Sequence, residues 1–316
     1  MNADFVGPKP RRPRVLIVVC LLATLAACEP ASSVSDEPRA PGDVPFGRGR
    51  LWQIEKEGVE LSYVFATLQV IDPRLCDLPV TVRQAFDSSP RTAFEFIATP
   101  EDEAMLAVST RLPASRTLEE ILGAELFQRA AAIVSDFGPG EDALQRVQPW
   151  LLVSMLSMSP VEVRRQSKGV LLLDIWLQRR ARRQGKALIK LAEFEEVVAF
   201  YDQMSEEDQI TLVRDLVAEF PQIDTRVERL SAAYRGGDLA RLQVEARDVS
   251  RSNDVEAATR FSREMVEGRS HRMIERMLPV IDGGTTFFSL DAVLLPGEEG
   301  ILRLLEKRGF TVTRLQ

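Results

Sequence analysis

LWQIEKEGVELSYVFATLQV, residues 51–70, reads as a β-hairpin. Leu51–Glu55 and Val59–Val70 are both apolar and β-favouring, and Glu57-Gly58 between them supplies the turn. The far end of the chain answers with a second β-containing unit: strand Thr285–Leu290, helix Glu298–Lys307, and strand Phe310–Leu315, with Gly309 where a helix C-cap glycine belongs. Close to the hairpin, Val80–Phe86 suggests a short helix, while Thr92–Ile97 and Ala104–Val108 suggest further strands. Between 118 and 278 the helical period dominates, in segments near 118–135, 141–157, 161–184, 193–203, 205–219, 222–235, 238–247 and 253–278, interrupted by one strand, Ala187–Leu191. Gly138-Pro139-Gly140, Gly185 and Gly236-Gly237 mark the stops. Strands at both ends with helices between require a sheet assembled from distant segments. The expectation is therefore one α+β domain over residues 47–316: a mixed central sheet built from the N-terminal hairpin and C-terminal strands, with a large, mostly helical middle.

Upstream of the domain the sequence changes character. Arg11, Arg12 and Arg14 precede an apolar run from Val15 to Ala23, followed by the small residues Ala26-Ala27. Charged, apolar, small is the order of an export signal, and at about 1.5 Å per residue the apolar run is too short to cross a bilayer core of roughly 30 Å. Leu25-Ala26-Ala27-Cys28 resembles the bacterial lipobox, which implies removal of residues 1–27 and a lipid on Cys28, including palmitate-type acyl chains. Glu29 follows the cysteine rather than an Asp, so by resemblance to sorted lipoproteins the expected address is the outer membrane, facing the periplasm. Residues 28–46, rich in Pro, Ser, Asp and Gly, form the expected flexible tether.

This processing settles the cysteines. Cys20 leaves with the signal and Cys28 is lipidated, so Cys76 has no partner for an intrachain disulfide, and the core must hold the fold. Loss of Lys9, Arg11, Arg12, Arg14 and Asp4 takes the net charge from −7 to about −10. Such an acidic chain in such a compartment is no nucleic-acid binder.

The hairpin and the C-terminal unit together resemble the TraB/GumN family, which includes the Tiki metalloproteases of animals. The resemblance covers nearly all of residues 48–316. It is carried by Leu51-Trp52-Gln53-Ile54, Phe65-Ala66-Thr67-Leu68-Gln69 and Asp72-Pro73-Arg74, then by Gln184-Gly185-Lys186. It continues through Ala232-Ala233-Tyr234-Arg235 with Gly237-Asp238-Leu239, Arg269–Met273, and Leu295-Pro296-Gly297 with Glu299-Gly300.

Membership implies a metal site made from two Gly-x-x-His motifs, one ending the first hairpin and one preceding Leu-Pro-Gly, with a Gly-Leu-Glu-Thr between them. Two imidazoles and a carboxylate can hold a divalent cation with an open position for water, which the metal acidifies for attack on an amide. Here the motifs read Ala66-Thr67-Leu68-Gln69, Lys190-Leu191-Ala192-Glu193 and Asp291-Ala292-Val293-Leu294, so Gln69, Ala192 and Leu294 stand at the ligand positions. An amide oxygen is a weak ligand for zinc-like ions, Ala192 and Leu294 offer no donor, and Lys190 brings a competing positive charge. The expectation is a pseudoenzyme that needs no cofactor and acts by binding an unknown protein or peptide. The alternative is an active hydrolase holding zinc, manganese or cobalt through substitutes. Glu193 shifts by one residue in that reading, Asp291 ligates from the place of the lost Gly, and Glu95 is a remnant acidic position.

Other constellations read as structural. His271 is the only histidine, so no site within the chain uses two imidazoles, and nothing brings it to Cys76. There is no Gly-x-Ser-x-Gly elbow for a serine nucleophile. Arg179, Arg180, Arg182, Arg183 and Lys186 close a helix where cations suit the dipole, with lipid headgroup contact as the second reading. Glu193, Glu195 and Glu196 open the next helix in the matching sense, and Met155 and Met158 belong to the core.

Overall fold

A computed structural model describes residues 44–247 and 263–316. The expected signal 1–27, Cys28, most of the tether and the first part of the helix expected from 253 lie outside them. The architecture is α+β. Six strands, β1 (Leu51–Lys56), β2 (Val59–Thr67), β3 (Arg91–Phe94), β4 (Ala187–Lys190), β5 (Thr286–Asp291) and β6 (Thr311–Arg314), form one mixed sheet in the order β4-β3-β5-β2-β1-β6. The first four in that order run parallel, and β1 pairs antiparallel with both β2 and β6. The hairpin turns at Gly58, whose φ of 77° a side chain with a Cβ tolerates poorly.

The sheet centre follows from hydropathy. All six residues of β5 are buried, as a strand covered on both faces must be, and Phe65, Phe86 and Phe287 pack about it with centroids 5.2 to 5.7 Å apart. Helices Leu173–Arg183, Ile223–Arg235, Leu239–Arg247, Arg269–Asp282 and Ile301–Lys307 complete this first core. A second core is built mostly from helices. It gathers Leu118, Phe127, Trp150, Tyr201 and Val213, with Trp150 stacked on Tyr201 at 5.5 Å. Phe96 packs against both cores and marks the seam between them.

Several elements differ from the sequence expectation. Ala104–Val108 is not a strand but part of helix Pro100–Ser109. Thr99 accepts from the Asp102 amide while Asp102 accepts from the Thr99 amide, and Pro100 takes the first turn, so local capping decides the short apolar run for helix. The helices expected over 118–135, 141–157 and 161–184 are each two helices. The breaks fall at Gly123 with φ 80°, before Pro149, and after Gly169 with φ 83°. β2 stops at Thr67 rather than Val70, and β3 at Phe94 rather than Ile97, which leaves Glu95 just beyond a strand end instead of within it.

Candidate functional site

Parallel register aligns the strand ends: Thr67 pairs with Asp291, Phe94 with Ser289, and Phe94 with Lys190. The segments that follow carry Gln69, Glu95, Ala192, Glu193 and Leu294 along one edge, the C-terminal edge where open parallel sheets place their sites. Tyr234 closes the rear of this edge by donating from its hydroxyl to the Ala66 carbonyl at 2.8 Å.

At the centre lies a residue the sequence analysis did not single out. Asp174, in the first turn of helix Leu173–Arg183, accepts from Ser289 Oγ at 2.6 Å, Gln69 Nε2 at 2.7 Å and Thr67 Oγ1 at 3.0 Å. Burial pushes its carboxyl up to about 6 against the downward pull of those donors, and the Glu95 charge adds to the rise. Because a carboxylate only accepts, the nitrogen end of the Gln69 amide must face it, and the Gln69 oxygen is left buried without a partner. The one sequence signal for this cluster is polar residues in a strand buried on both faces: Ser289 and Asp291 share a face of β5.

Asp291 is 2% exposed. Its backbone N–H donates to Glu95 Oε1 at 2.6 Å, its Oδ1 accepts from the Val293 amide at 3.2 Å, and its Oδ2 is buried without a partner. Burial first, then the Glu95 charge, push its carboxyl upward. Glu95 is itself buried, and its second oxygen takes the Arg269 guanidinium. Structure thus joins Gln69 to Asp174 and Asp291 to Glu95.

The remaining positions do not join this cluster. Leu294 is fully buried, and Ala192 is buried with a methyl group only. Glu193 sits on no strand: it caps helix Phe194–Asp202, exposed, with its N–H donating to Glu196 Oε1 at 3.0 Å. Among the described residues, one group could converge on a metal, Asp102, Glu193 and Glu195, whose ligand atoms lie within 4.8 Å of one another. The Lys190 ammonium already serves it, in contact with Glu193 and 3.7 Å from Asp102 Oδ1. The residues at this edge therefore do not fit a family-type metal: one expected donor is turned to a carboxylate, two are absent, and the shifted acid is held by a lysine.

What Ala192 leaves instead is a cleft on the seam between the cores. Phe96, Ala192, Phe200 and Met273 form an apolar floor, with Arg269 and Arg276 on the wall. Arg276 is fixed by the Leu191 carbonyl and Glu196 Oε1, both at 2.8 Å. Glu95 and Glu196 neutralise these arginines, so the arrangement suits recognition of an apolar group inside a polar rim. His271 and Cys76 stay apart in role: His271 is exposed with its Nε2 2.8 Å from Glu299, while burial and neighbouring Asp72 push the Cys76 thiol up to about 11, which makes it inert near neutrality.

A "Metalloprotease TIKI homolog" of Amphimedon queenslandica is 24% identical to this chain over an alignment of 316 residues, covering 84% of the chain and 61% of the relative. The chain thus spans about three-fifths of that relative's length. No solved structure matches. The TraB/PrgY/gumN family model matches residues 50–314 continuously, from the hairpin to the last strand, and the chain belongs to that family.

Proposed function

We propose that this protein is a lipid-anchored member of the TraB/PrgY/gumN family that acts in the bacterial cell envelope by binding a protein or peptide rather than by hydrolysis. The anchor is the acylated Cys28, and the body faces the periplasm from the outer membrane. The observation that carries the reading is the Gln69 amide committed to Asp174 at 2.7 Å, where the family resemblance implies a metal-bound imidazole. The donorless Ala192 and Leu294 support it, as does the apolar cleft with its arginine wall.

A second reading, an active hydrolase with a relocated site, is favoured by one feature, the unpartnered Asp291 Oδ2. Glu193 gives it no support, being exposed and paired with Lys190. Metal content of the purified full chain and cleavage of a peptide library separate the two. The binding reading expects substoichiometric metal and no turnover. Stoichiometric zinc, manganese or cobalt, with turnover lost in Asp291→Ala or Glu193→Ala, overturns it.

A further inference from the structure

We propose that the arginine stripe closing helix Leu173–Arg183 docks the body of this protein onto a layer of anionic lipid headgroups, which rests on the reading of Cys28 as the lipid anchor. Arg179, Arg182 and Arg183 recur at the three- and four-residue spacing that puts side chains on one helix face, and all three are exposed. Lys186 lies past the end of the helix and is not part of the stripe: its ammonium donates to the Asp87 and Ser89 carbonyls. Asp87, the carboxylate of this region, is already taken: Arg180 reaches it at 3.0 Å and Gln184 donates to it at 2.8 Å. Among the described residues no carboxylate pairs with Arg179, Arg182 or Arg183. Several arginines elsewhere are neutralised, Arg74 by Asp72 and Glu228, Arg303 by Glu298 and Glu306, Arg276 by Glu196, and what sets the stripe apart is three without a carboxylate on neighbouring positions of one helix end. In a chain of net charge −7, three unpaired guanidinium groups in one row invert the local charge.

The shape of the stripe selects the partner. It lies on the outside of a helix, with no cavity and no converging buried polar groups, so it fits a flat field of phosphates rather than one compact anion. The chain joins the body at the opposite edge of the sheet, where β1 begins beside the ends of β2 and β5. At no more than about 3.5 Å per residue, the chain from Cys28 to Val44 is at most about 55 Å long, against about 20 Å for a six-residue strand, so its length permits a body lying on its side.

Trp176, one turn before Arg179, supplies a reporter. Trp52 and Trp150 are 0% and 1% exposed, whereas Trp176 is partly exposed with Arg180 over its ring at 5.8 Å.

The test uses the full chain reconstituted into vesicles of phosphatidylcholine alone or mixed with phosphatidylglycerol. Phenylglyoxal modification, mapped by mass spectrometry, should slow about fivefold or more at Arg179, Arg182 and Arg183 on the phosphatidylglycerol vesicles only. Exposed Arg129, on the second core, should not change, and high salt should erase the protection. Arg179→Gln/Arg182→Gln/Arg183→Gln, judged folded by the emission of the buried tryptophans, should lose the shielding of Trp176 from acrylamide while still floating with both vesicle types. Equal modification on both vesicle types overturns the docking. The anchor is scored separately by acyl mass at Cys28: a chain that carries no acyl group yet sediments with phosphatidylglycerol vesicles alone refutes the anchor and keeps the stripe.

Discussion

Gln69 and Asp174, 105 positions apart in the chain, meet at 2.7 Å, amide nitrogen to carboxylate oxygen, and so tie the loop after β2 to the first turn of helix Leu173–Arg183. The same carboxylate holds Thr67 and Ser289. Asp174→Ala leaves the Gln69 and Ser289 donors without an acceptor in the interior, while Thr67 Oγ1 keeps the Leu290 carbonyl at 3.2 Å; Gln69→Ala removes one donor and leaves the others satisfied. The expected losses are about 3 kcal/mol for Asp174→Ala and about 1 kcal/mol for Gln69→Ala, read from urea midpoints at constant slope. Equal losses would mean that Asp174 is not the hub.

Stability should also depend on pH in an unusual sense. Asp174 is pushed up to about 6 from an ordinary 3.8, and Asp291 shifts the same way. Between those values the folded state holds more protons than the unfolded one. The stabilisation is full below about pH 4 and is lost as pH rises through about 6. Ordinary surface carboxylates such as Glu228, lowered by its hydrogen bond from Arg74, run the other way, so the signal must be isolated by difference. Asp291→Asn should raise Tm relative to the parent at about pH 8, and the advantage should shrink toward about pH 4. A difference that stays flat with pH would exclude Asp291 as a titrating contributor.

Much of the fold was legible because its signals are local. The hairpin around Gly58 and the C-terminal strand-helix-strand unit, whose helix turns into the last strand at Gly309, are apolar runs joined through residues that tolerate positive φ. Ala104–Val108 misled because a short unbroken apolar run fits a buried strand as well as a helix, while the decisive signal, Thr99-Pro100-Glu101-Asp102, lies just upstream. The unbroken helix expected over 118–135 overlooked what Gly123 does to a helix. Gln69 and Asp291 were singled out through the family motifs and Glu95 as an often-acidic family position, and the structure brings all three to one end of the sheet. Asp174 was not singled out, because an acid in a helix's first turn is ordinary dipole matching. Its meaning comes from Thr67 and Ser289, 107 and 115 residues away, and no local pattern encodes such contacts.

The Glu95–Arg269 pair is enclosed, with side chains 9% and 11% exposed. Arg269→Ala leaves a buried carboxylate facing no cation beside Asp291, and should cost about 3–5 kcal/mol. Glu95→Gln/Arg269→Met keeps an acceptor for the Asp291 amide and removes both charges, so it should cost less than Arg269→Ala alone. Denaturant unfolding of the single and double variants measures the coupling, and additive losses would contradict it.

Lys190 occupies the acidic group made by Asp102, Glu193 and Glu195. Removing the ammonium should free a weak site for a hard divalent ion. Lys190→Ala is expected to gain manganese or calcium binding in roughly the millimolar range, abolished by adding Glu193→Ala, with no such heat in the parent by titration calorimetry. Binding by the parent at similar strength would show that the lysine does not act as the resident cation.

On the proposed binding reading, in which Gln69, Ala192 and Leu294 offer no metal-binding set, placement at the membrane through Cys28 is expected to carry a large share of the role. Cys28→Ala should abolish acyl mass and move the protein from the detergent-rich to the aqueous phase on cloud-point separation. Its effect on the cellular role should at least equal that of Gln69→Ala, which disturbs one interior hydrogen bond and costs only about 1 kcal/mol. If the unacylated form supports the same phenotype, Cys28 supplies an address and nothing more, and the cleft beside Ala192 must carry the activity by itself.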